Sequence, residues 1–282
     1  MISLEKVLAA AVDMKPLSPC TGKLAGLVAS ESASLDDMAE VIRYDQMLTA
    51  SVLKYANSVF SASKRPITSI RDALVRTGSA KVLELLLAHH VRETMSTHVA
   101  VYGYAEKELW RHSVAAALAV QLLGGLQPGS VDGIAFSAAL LHDIGKTLIG
   151  RAAPAELMQS VWLLCTNEVD PLPWEQAERR VFGFTHADVG SQLAQSWHLP
   201  DAIVEAIRHH HATDREYGPV VDVVKVANAA SKMIGAGLGH EGMSLVLDDH
   251  LEQRLGLTHE ILEKLCAETS VRLQDVMALY AG

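Results

Sequence analysis

Apolar residues recur three and four apart from the start of the chain. Leu4, Val7, Leu8, Ala11 and Val12 form one stripe before Pro16 and Pro19 interrupt it, and that spacing marks a helix with one face against a core. A second helix is predicted from Gly22 to about Ser30. Ser34 then offers an N-cap ahead of Asp36 and Asp37, with Leu35, Met38, Ala39 and Ile42 on the apolar face. Leu48, Val52, Leu53 and Ala56 place a helix between Asp45 and Phe60. Ser69 opens another that stops near Gly78, and Ser79 caps a third whose Val82, Leu83, Leu85, Leu86 and Leu87 read as buried. This run predicts an N-terminal helical lobe over residues 1–103, with its boundary in His98 to Gly103, and a second lobe over 104–282.

In the second lobe the helices lengthen and carry histidines. One is expected from Ala105 to Leu123, ending at Gly124-Gly125, and one from about Val131 through Gly145. Glu156 to Cys165 leads to the turn Asp170-Pro171-Leu172-Pro173. Helices follow from Glu175 to Phe182, from Thr185-His186 to Trp197, and from Pro200-Asp201 to His210, with Pro at a tolerated first-turn position. Val220 to Ile234 is β-branched enough for a strand. Its Val223, Val226, Ala227, Ala230 and Ile234 also fit a helical face, and the lack of partner strands favours helix. Short helical segments around Leu255 and Leu265 close an all-α chain.

Composition narrows this picture. Apolar residues make up 49% of the 282 positions and aromatic ones 5%, which suits helices packed through Ala and Leu. With 24 basic and 33 acidic residues the formal charge is −9, against a broad grip on nucleic acid. Arg43, Lys54, Lys64, Arg65, Arg71 and Arg76 form only a local basic tendency. Cys20, Cys165 and Cys266 make no CxxC pair, which fits a reducing interior. Met1-Ile2-Ser3-Leu4-Glu5-Lys6 does not read as a secretory signal, the apolar runs fall short of membrane-spanning length, and a cytoplasmic location is expected.

The candidate chemistry lies in Leu140-Leu141-His142-Asp143-Ile144-Gly145-Lys146. A carboxylate in apolar sequence needs a metal, a cation or several donors to remain ionised. Lys146 can serve as that cation or reach a bound phosphate. Glu108 and His112, four apart, project from one helical face. His142 and Asp143 diverge by about 100° on a helix, while His186, His210 and His211 can each point inward from later helices. Together these seven residues offer ligands for one or two divalent transition ions of the Fe, Mn, Zn or Ni kind. The plainer readings are a buried ion pair for His142-Asp143, core histidines at His112 and His186, a basic helix face at Arg208 to His211, and an exposed carboxylate at Glu108. His89, His90, His98, His198, His240, His250 and His259 read as surface or packing residues.

An ordered series of motifs makes the chain similar to HDOD proteins, the regulatory output branch of the HD superfamily. In the first lobe these are Ile42-Arg43-Tyr44-Asp45, Tyr55-Ala56-Asn57-Ser58 and Ile70-Arg71-Asp72-Ala73-Leu74-Val75-Arg76-Thr77-Gly78. In the second they are Trp110-Arg111-His112-Ser113, Leu140 to Lys146, Phe184-Thr185-His186-Ala187-Asp188, Trp197-His198-Leu199-Pro200 and His210-His211. The resemblance implies an all-α fold with His112, His142 and Asp143 as metal ligands. The related cyclic-di-GMP phosphodiesterase branch adds His186, His210 and His211, with Glu108 as an extra ligand. Two departures stand out. Asn228 occupies the position of the last carboxylate, and Tyr217-Gly218-Pro219 replaces the GYP element. A neutral amide does less to offset the repulsion between two adjacent divalent ions.

The expected function is therefore bacterial signal transduction, in which metal and a partner protein or small phosphate-containing ligand bind without turnover. The alternative is a metal-dependent phosphodiesterase or phosphomonoesterase, with Asp143 orienting the nucleophile and Lys146 contacting the phosphate. A third possibility is that the ions only clamp helices together.

Overall fold

A computed structural model describes residues 2–13, 17–30, 32–43, 46–59, 67–96, 99–126, 134–242 and 250–279. Among them the secondary structure is helical, apart from one isolated antiparallel bridge between Val99 and Tyr104. The first half carries α1 (Leu4–Ala9), α2 (Pro19–Val28), α3 (Leu35–Arg43), α4 (Gln46–Val59), α5 (Ile70–Thr77) and α6 (Ser79–Met95). The second carries α7 (Glu108–Leu126), α8 (Ala135–Leu141), α9 (Ile144–Ala152), α10 (Ala155–Cys165), α11 (Trp174–Phe182), α12 (His186–Ser196), α13 (Asp201–His209) and α14 (Pro219–Met233). It closes with α15 (Leu251–Leu255) and α16 (His259–Leu279).

Most predicted elements form, and local chemistry explains their ends. Ser34 Oγ accepts the Asp37 amide at 3.2 Å while Asp37 accepts the Ser34 amide at 3.0 Å, a reciprocal cap at the start of α3. Ser69 caps α5 by accepting the Asp72 amide at 3.0 Å. Pro19 opens α2 instead of interrupting a helix, because the first turn has no use for the N–H that proline lacks. The Val220 to Ile234 segment is helical, as α14. Gly124 and Gly125 do not stop α7, which continues to Leu126, and the short segments expected near the C-terminus include one long helix, α16. His98, Lys64, Arg65 and Ser244 lie outside the described residues.

One continuous buried cluster joins Leu24, Leu83 and Leu87 of the first half to Leu140, Ile203 and Val224 of the second. Each such side chain contributes about 1.5–3 kcal/mol on leaving water. At its centre α7 packs against α8, α14 and α16, while α12 lies against α9 and α13. Helix α1 crosses to the second half and rests on α9 and α12.

Two glycines set the approaches that build the interior. A Cβ on Gly145 of α9 would collide with the His186 carbonyl and lie 2.8 Å from the Gly190 amide, so only glycine lets α9 and α12 meet this closely. Gly237, with φ +58°, faces the Glu108 carbonyl at the start of α7 and would place a Cβ 3.2 Å from His112 Cβ. These contacts draw α7, α9, α12 and the segment after α14 together around one point.

Candidate metal centre

The expected helix through Gly145 breaks at the chemistry. Helix α8 ends at Leu141, His142 and Asp143 form a turn, and α9 begins at Ile144. The two side chains therefore do not diverge as they would on one helix. Asp143 stands at the N-cap position of α9, at φ −100° and ψ 9°, yet its carboxylate makes no cap bond; it turns into the core. Each remaining imidazole comes from an element end or an early turn. Thr185 and Asp188 form a capping box that makes His186 the first residue of α12. His210 and His211 follow the last residue of α13, and His112 lies one turn into α7.

The structure brings these side chains together around Asp143. Its Oδ2 lies 3.5 Å from His112 Nε2 and 3.4 Å from His142 Nε2. Its Oδ1 lies 3.3 Å from His186 Nε2 and 3.6 Å from His210 Nε2. His211 Nε2 approaches His186 Nε2 at 3.1 Å, and His112 Nε2 approaches His142 Nε2 at 3.2 Å. Two groups result, Asp143 with His186, His210 and His211, and Asp143 with His112 and His142, each with its ligand atoms within 4.8 Å of one another. His112, His142, Asp143, His186 and His210 are at most 2% exposed.

The rear nitrogens fix which atom faces the centre. His112 Nδ1 donates to the Ala236 carbonyl at 2.9 Å, His142 Nδ1 to the Ala139 carbonyl at 2.7 Å, and His210 Nδ1 to the Ile207 carbonyl at 2.7 Å. A carbonyl only accepts, so these protons sit on Nδ1 and the inward Nε2 atoms carry lone pairs. Two bare Nε2 atoms 3.2 Å apart, those of His112 and His142, repel unless a cation lies between them. Among the described residues, Asp143 Oδ1 and His210 Nε2 are buried with no partner in hydrogen-bonding geometry, although His186 Nε2 stands 3.3 Å from Oδ1; this is the condition a metal relieves. The donor set thus fits a divalent ion, with rear carbonyls that hold each ring in its ligating tautomer.

Charge states agree with this arrangement at His112, His210 and His211. Burial pushes the His112 and His210 rings down to about 3, and burial with the neighbouring His210 and His186 lowers His211 well below its ordinary value. His186 behaves oppositely: burial disfavours its charge, but the Glu178 carboxylate and the nearby Asp143 carboxylate outweigh that and raise it to about 10. Asp143 is held well below the usual carboxylate range, its burial overcome by Lys146 and the neighbouring histidines.

Two expected members occupy other roles. Glu108 accepts the Ala105 amide at 2.9 Å as part of the entry to α7 and belongs to neither ligand group; the backbone donors at a helix start claim its carboxylate. Lys146 donates to Asp143 Oδ2 at 2.8 Å and also pairs with Glu241, at 1% side-chain exposure. Its ammonium is shared between two buried carboxylates, away from any surface ligand.

Two residues at the centre escaped sequence reasoning. Glu178 of α11, fully buried, accepts the Tyr102 hydroxyl at 2.6 Å and both the amide and Nδ1 of His186 at 2.8 Å. Glu241 pairs with Lys146 and, at 3.0 Å, with Lys232. His240 is a surface packing residue, as expected: it is exposed and its ring packs on Trp162 and Trp174, with centroids 4.6 and 6.2 Å away. Asn228 is buried on α14, and its side-chain oxygen has no hydrogen-bond partner among the described residues. Beside His211 a depression of about 320 Å³ opens to solvent, lined among others by Arg179, Arg208 and Tyr217.

An all-helical fold that gathers a His-Asp pair and four further imidazoles in its interior is that of the HD superfamily of phosphohydrolases and their signalling relatives. Within it the chain belongs to the HDOD family, whose domain matches residues 14–213. It is similar to an HDOD domain protein of Geobacter sulfurreducens, 25% identical, with a TM-score of 0.67 over 98% of this chain and 97% of that one. A Marinobacter aquaeolei VT8 protein whose name places it in signal transduction is 24% identical, with a TM-score of 0.71 over 99% of this chain and 61% of that one. A Treponema pallidum (strain Nichols) protein is 24% identical over 220 residues, a match covering 76% of this chain and 41% of that protein. The chain therefore spans less than half the length of that relative. No helix among the described residues is long and apolar enough to cross a membrane.

Proposed function

We propose that the chain is a signalling output module that binds a divalent transition ion in its His/Asp cluster and engages a partner protein or a phosphate-containing ligand without turnover. The observation that carries this reading is the position of Lys146. Lys146, the side chain expected to contact a substrate phosphate, is instead buried between Asp143 and Glu241. Asn228, at the place where the resemblance calls for a carboxylate, contributes no charge to a second ion.

Asp143, His112, His142, His186, His210 and His211 are the residues that would hold the metal. A bound ion would supply Lewis acidity and lower the pKa of a coordinated water. Around it, the carbonyls of Ala236, Ala139 and Ile207 orient the rings, and the tight packing of α9 on α12 excludes bulk water. The hydrolytic reading is favoured by one feature, the depression beside His211, where Arg179 and Arg208 can meet an anion.

Purification of the untagged protein without chelator, metal quantification, and assays on phosphodiesters and phosphomonoesters with His142→Ala and Asp143→Ala controls separate the two. Bound metal with no turnover supports the signalling reading. Turnover lost in both variants overturns it in favour of hydrolysis.

A further inference from the structure

A separate feature of the surface lies on α10 and the turn that follows it. Among the described residues, the large apolar side chains left exposed include Trp162 at 38%, Leu163 at 62% and Val169 at 93%. The turn is held in shape: Asn167 Oδ1 accepts the Val169 amide at 2.9 Å and the Asp170 amide at 3.0 Å, and the Leu172 amide donates to the Leu164 carbonyl at 3.1 Å. An ordered backbone thus presents apolar side chains to water, a pattern that marks an interaction surface.

Trp162 and His240 together border two depressions. The first, of about 520 Å³, has Val101, Ala155 and Met158 in its walls and suits aliphatic side chains. The second, of about 290 Å³, is bounded by Cys165, Pro171, Trp174 and Glu241. Charge on the surrounding segment has one sign. From Ala152 to Glu178 the chain carries Glu156, Glu168, Asp170, Glu175 and Glu178, and no lysine, arginine or histidine. Glu178 is engaged by His186, and Glu241 by Lys146 and Lys232, whereas Glu156, Glu168 and Asp170 are exposed. The Cys165 thiol, in the wall of the second depression, responds to the same sign of charge: burial first, and then Glu241, Glu178 and Glu175, push it up to about 12.

We propose that this face docks a partner protein through a segment in which arginine or lysine alternates with aliphatic residues. The cation lies over the indole face of Trp162, and the aliphatic side chains enter the depression beside Val101 and Met158. Glu168 and Asp170, flanking Val169, supply the complementary charge. A cation over a tryptophan ring is attracted by the negative face of the π-system, more strongly as water is excluded, and tryptophan with arginine dominates interfaces of this kind. A second copy of this chain is the poorer occupant, because two acidic turns brought together repel. The inference gives the partner of the signalling reading a surface and a chemistry, and rests on that reading for the existence of a partner.

The probe is a capped peptide, Leu-Arg-Leu-Arg-Leu, titrated into the full chain with isotope-labelled tryptophan while the indole N–H signals are followed by NMR. Of the four tryptophan signals, those of Trp162 and Trp174 are expected to shift and those of Trp110 and Trp197 to stay. By calorimetry, Trp162→Ala weakens binding about 3- to 30-fold, the range for a cation on an indole face. Glu168→Lys combined with Asp170→Lys weakens it about threefold or more at low salt, a difference that fades at about 0.5 M salt. Val75→Ser, at an exposed site on α5, leaves affinity unchanged, and thermal melts confirm that each variant is folded. Indole signals of Trp162 and Trp174 that do not move overturn the inference. So does equal affinity for Leu-Gln-Leu-Gln-Leu, or self-association of the chain that Trp162→Ala abolishes. None of these outcomes alters the metal and turnover results that decide the signalling reading.

Discussion

Glu178 accepts both the backbone amide and the ring Nδ1 of His186, each at 2.8 Å, from a helix that meets α12 across Gly183 and the Thr185 cap. One carboxylate thus fixes the start of a helix and the orientation of the imidazole that begins it. Replacing Glu178 with Ala leaves the Tyr102 hydroxyl and the His186 ring without their buried acceptor. The expected cost is about 3–5 kcal/mol, the range for breaking a buried charged pair, read as a lower midpoint in urea unfolding of the metal-free chain. A change below about 1 kcal/mol would mean that the contact is not made in solution.

Gly145 has no room for a side chain, since a Cβ there collides with the His186 carbonyl. Gly145→Ala must push α9 from α12, and overpacking of this kind costs about 1–3 kcal/mol or more. The same shift separates Asp143 from His186, so stability and metal affinity fall together. Gly125, which has nothing among the described residues within 4 Å of such a Cβ, is the control: Gly125→Ala keeps metal affinity and raises helix stability by up to about 1 kcal/mol.

Acid is expected to unfold the metal-free protein earlier than surface carboxylates alone would. The His112 and His210 rings fall from an ordinary 6.5 to about 3 in the folded state, so between those values the unfolded chain binds more protons. Stability is therefore lost as pH falls from about 6.5 towards 3, by about 1.4 kcal/mol per pH unit for each ring. Asp143, lowered well below its ordinary 3.8, adds a loss in the same direction at more acidic pH. His186, raised to about 10, acts oppositely: its contribution is complete below 6.5 and disappears as pH climbs to 10. Urea unfolding at stepped pH should show maximal stability near neutrality, and a profile flat from 6.5 to 4 contradicts these assignments.

Glu108 separates a capping role from a ligating one. Its carboxylate accepts the Ala105 amide at 2.9 Å, so Glu108→Ala is expected to cost about 0.5–2 kcal/mol in stability. Metal affinity should stay within about twofold of wild type, because the lost interaction belongs to the helix start. A tenfold loss of affinity in calorimetric titration would return Glu108 to the ligand set.

The helical architecture was legible because apolar spacing of three and four persists along the chain, and the six residues at the centre because they fall in the ordered series of motifs that makes the chain similar to HDOD proteins. The break at His142-Asp143 was not: Leu140, Leu141 and Ile144 continue the helical period across it, and only the approach of α12 to Gly145 reveals why the chain turns there. Glu178 was hidden for a related reason. It sits among Glu175, Arg179 and Arg180 in a helix that reads as solvated, and its burial is decided by Tyr102 and His186, distant in sequence. Glu241 lies in a glycine-rich stretch without periodicity, so its pairing with Lys146 left no local trace. Lys146 itself was visible, and its choice between a carboxylate and a phosphate depended on that second partner.

The central claim, that the buried imidazoles around Asp143 hold a metal, is tested most directly by X-ray absorption spectroscopy on the full chain loaded with one equivalent of Zn²⁺. The account predicts a first shell of nitrogen and oxygen at about 2.0–2.1 Å with imidazole scattering beyond it, and its loss in Asp143→Ala. A spectrum of hydrated zinc, unchanged by that substitution, would contradict it.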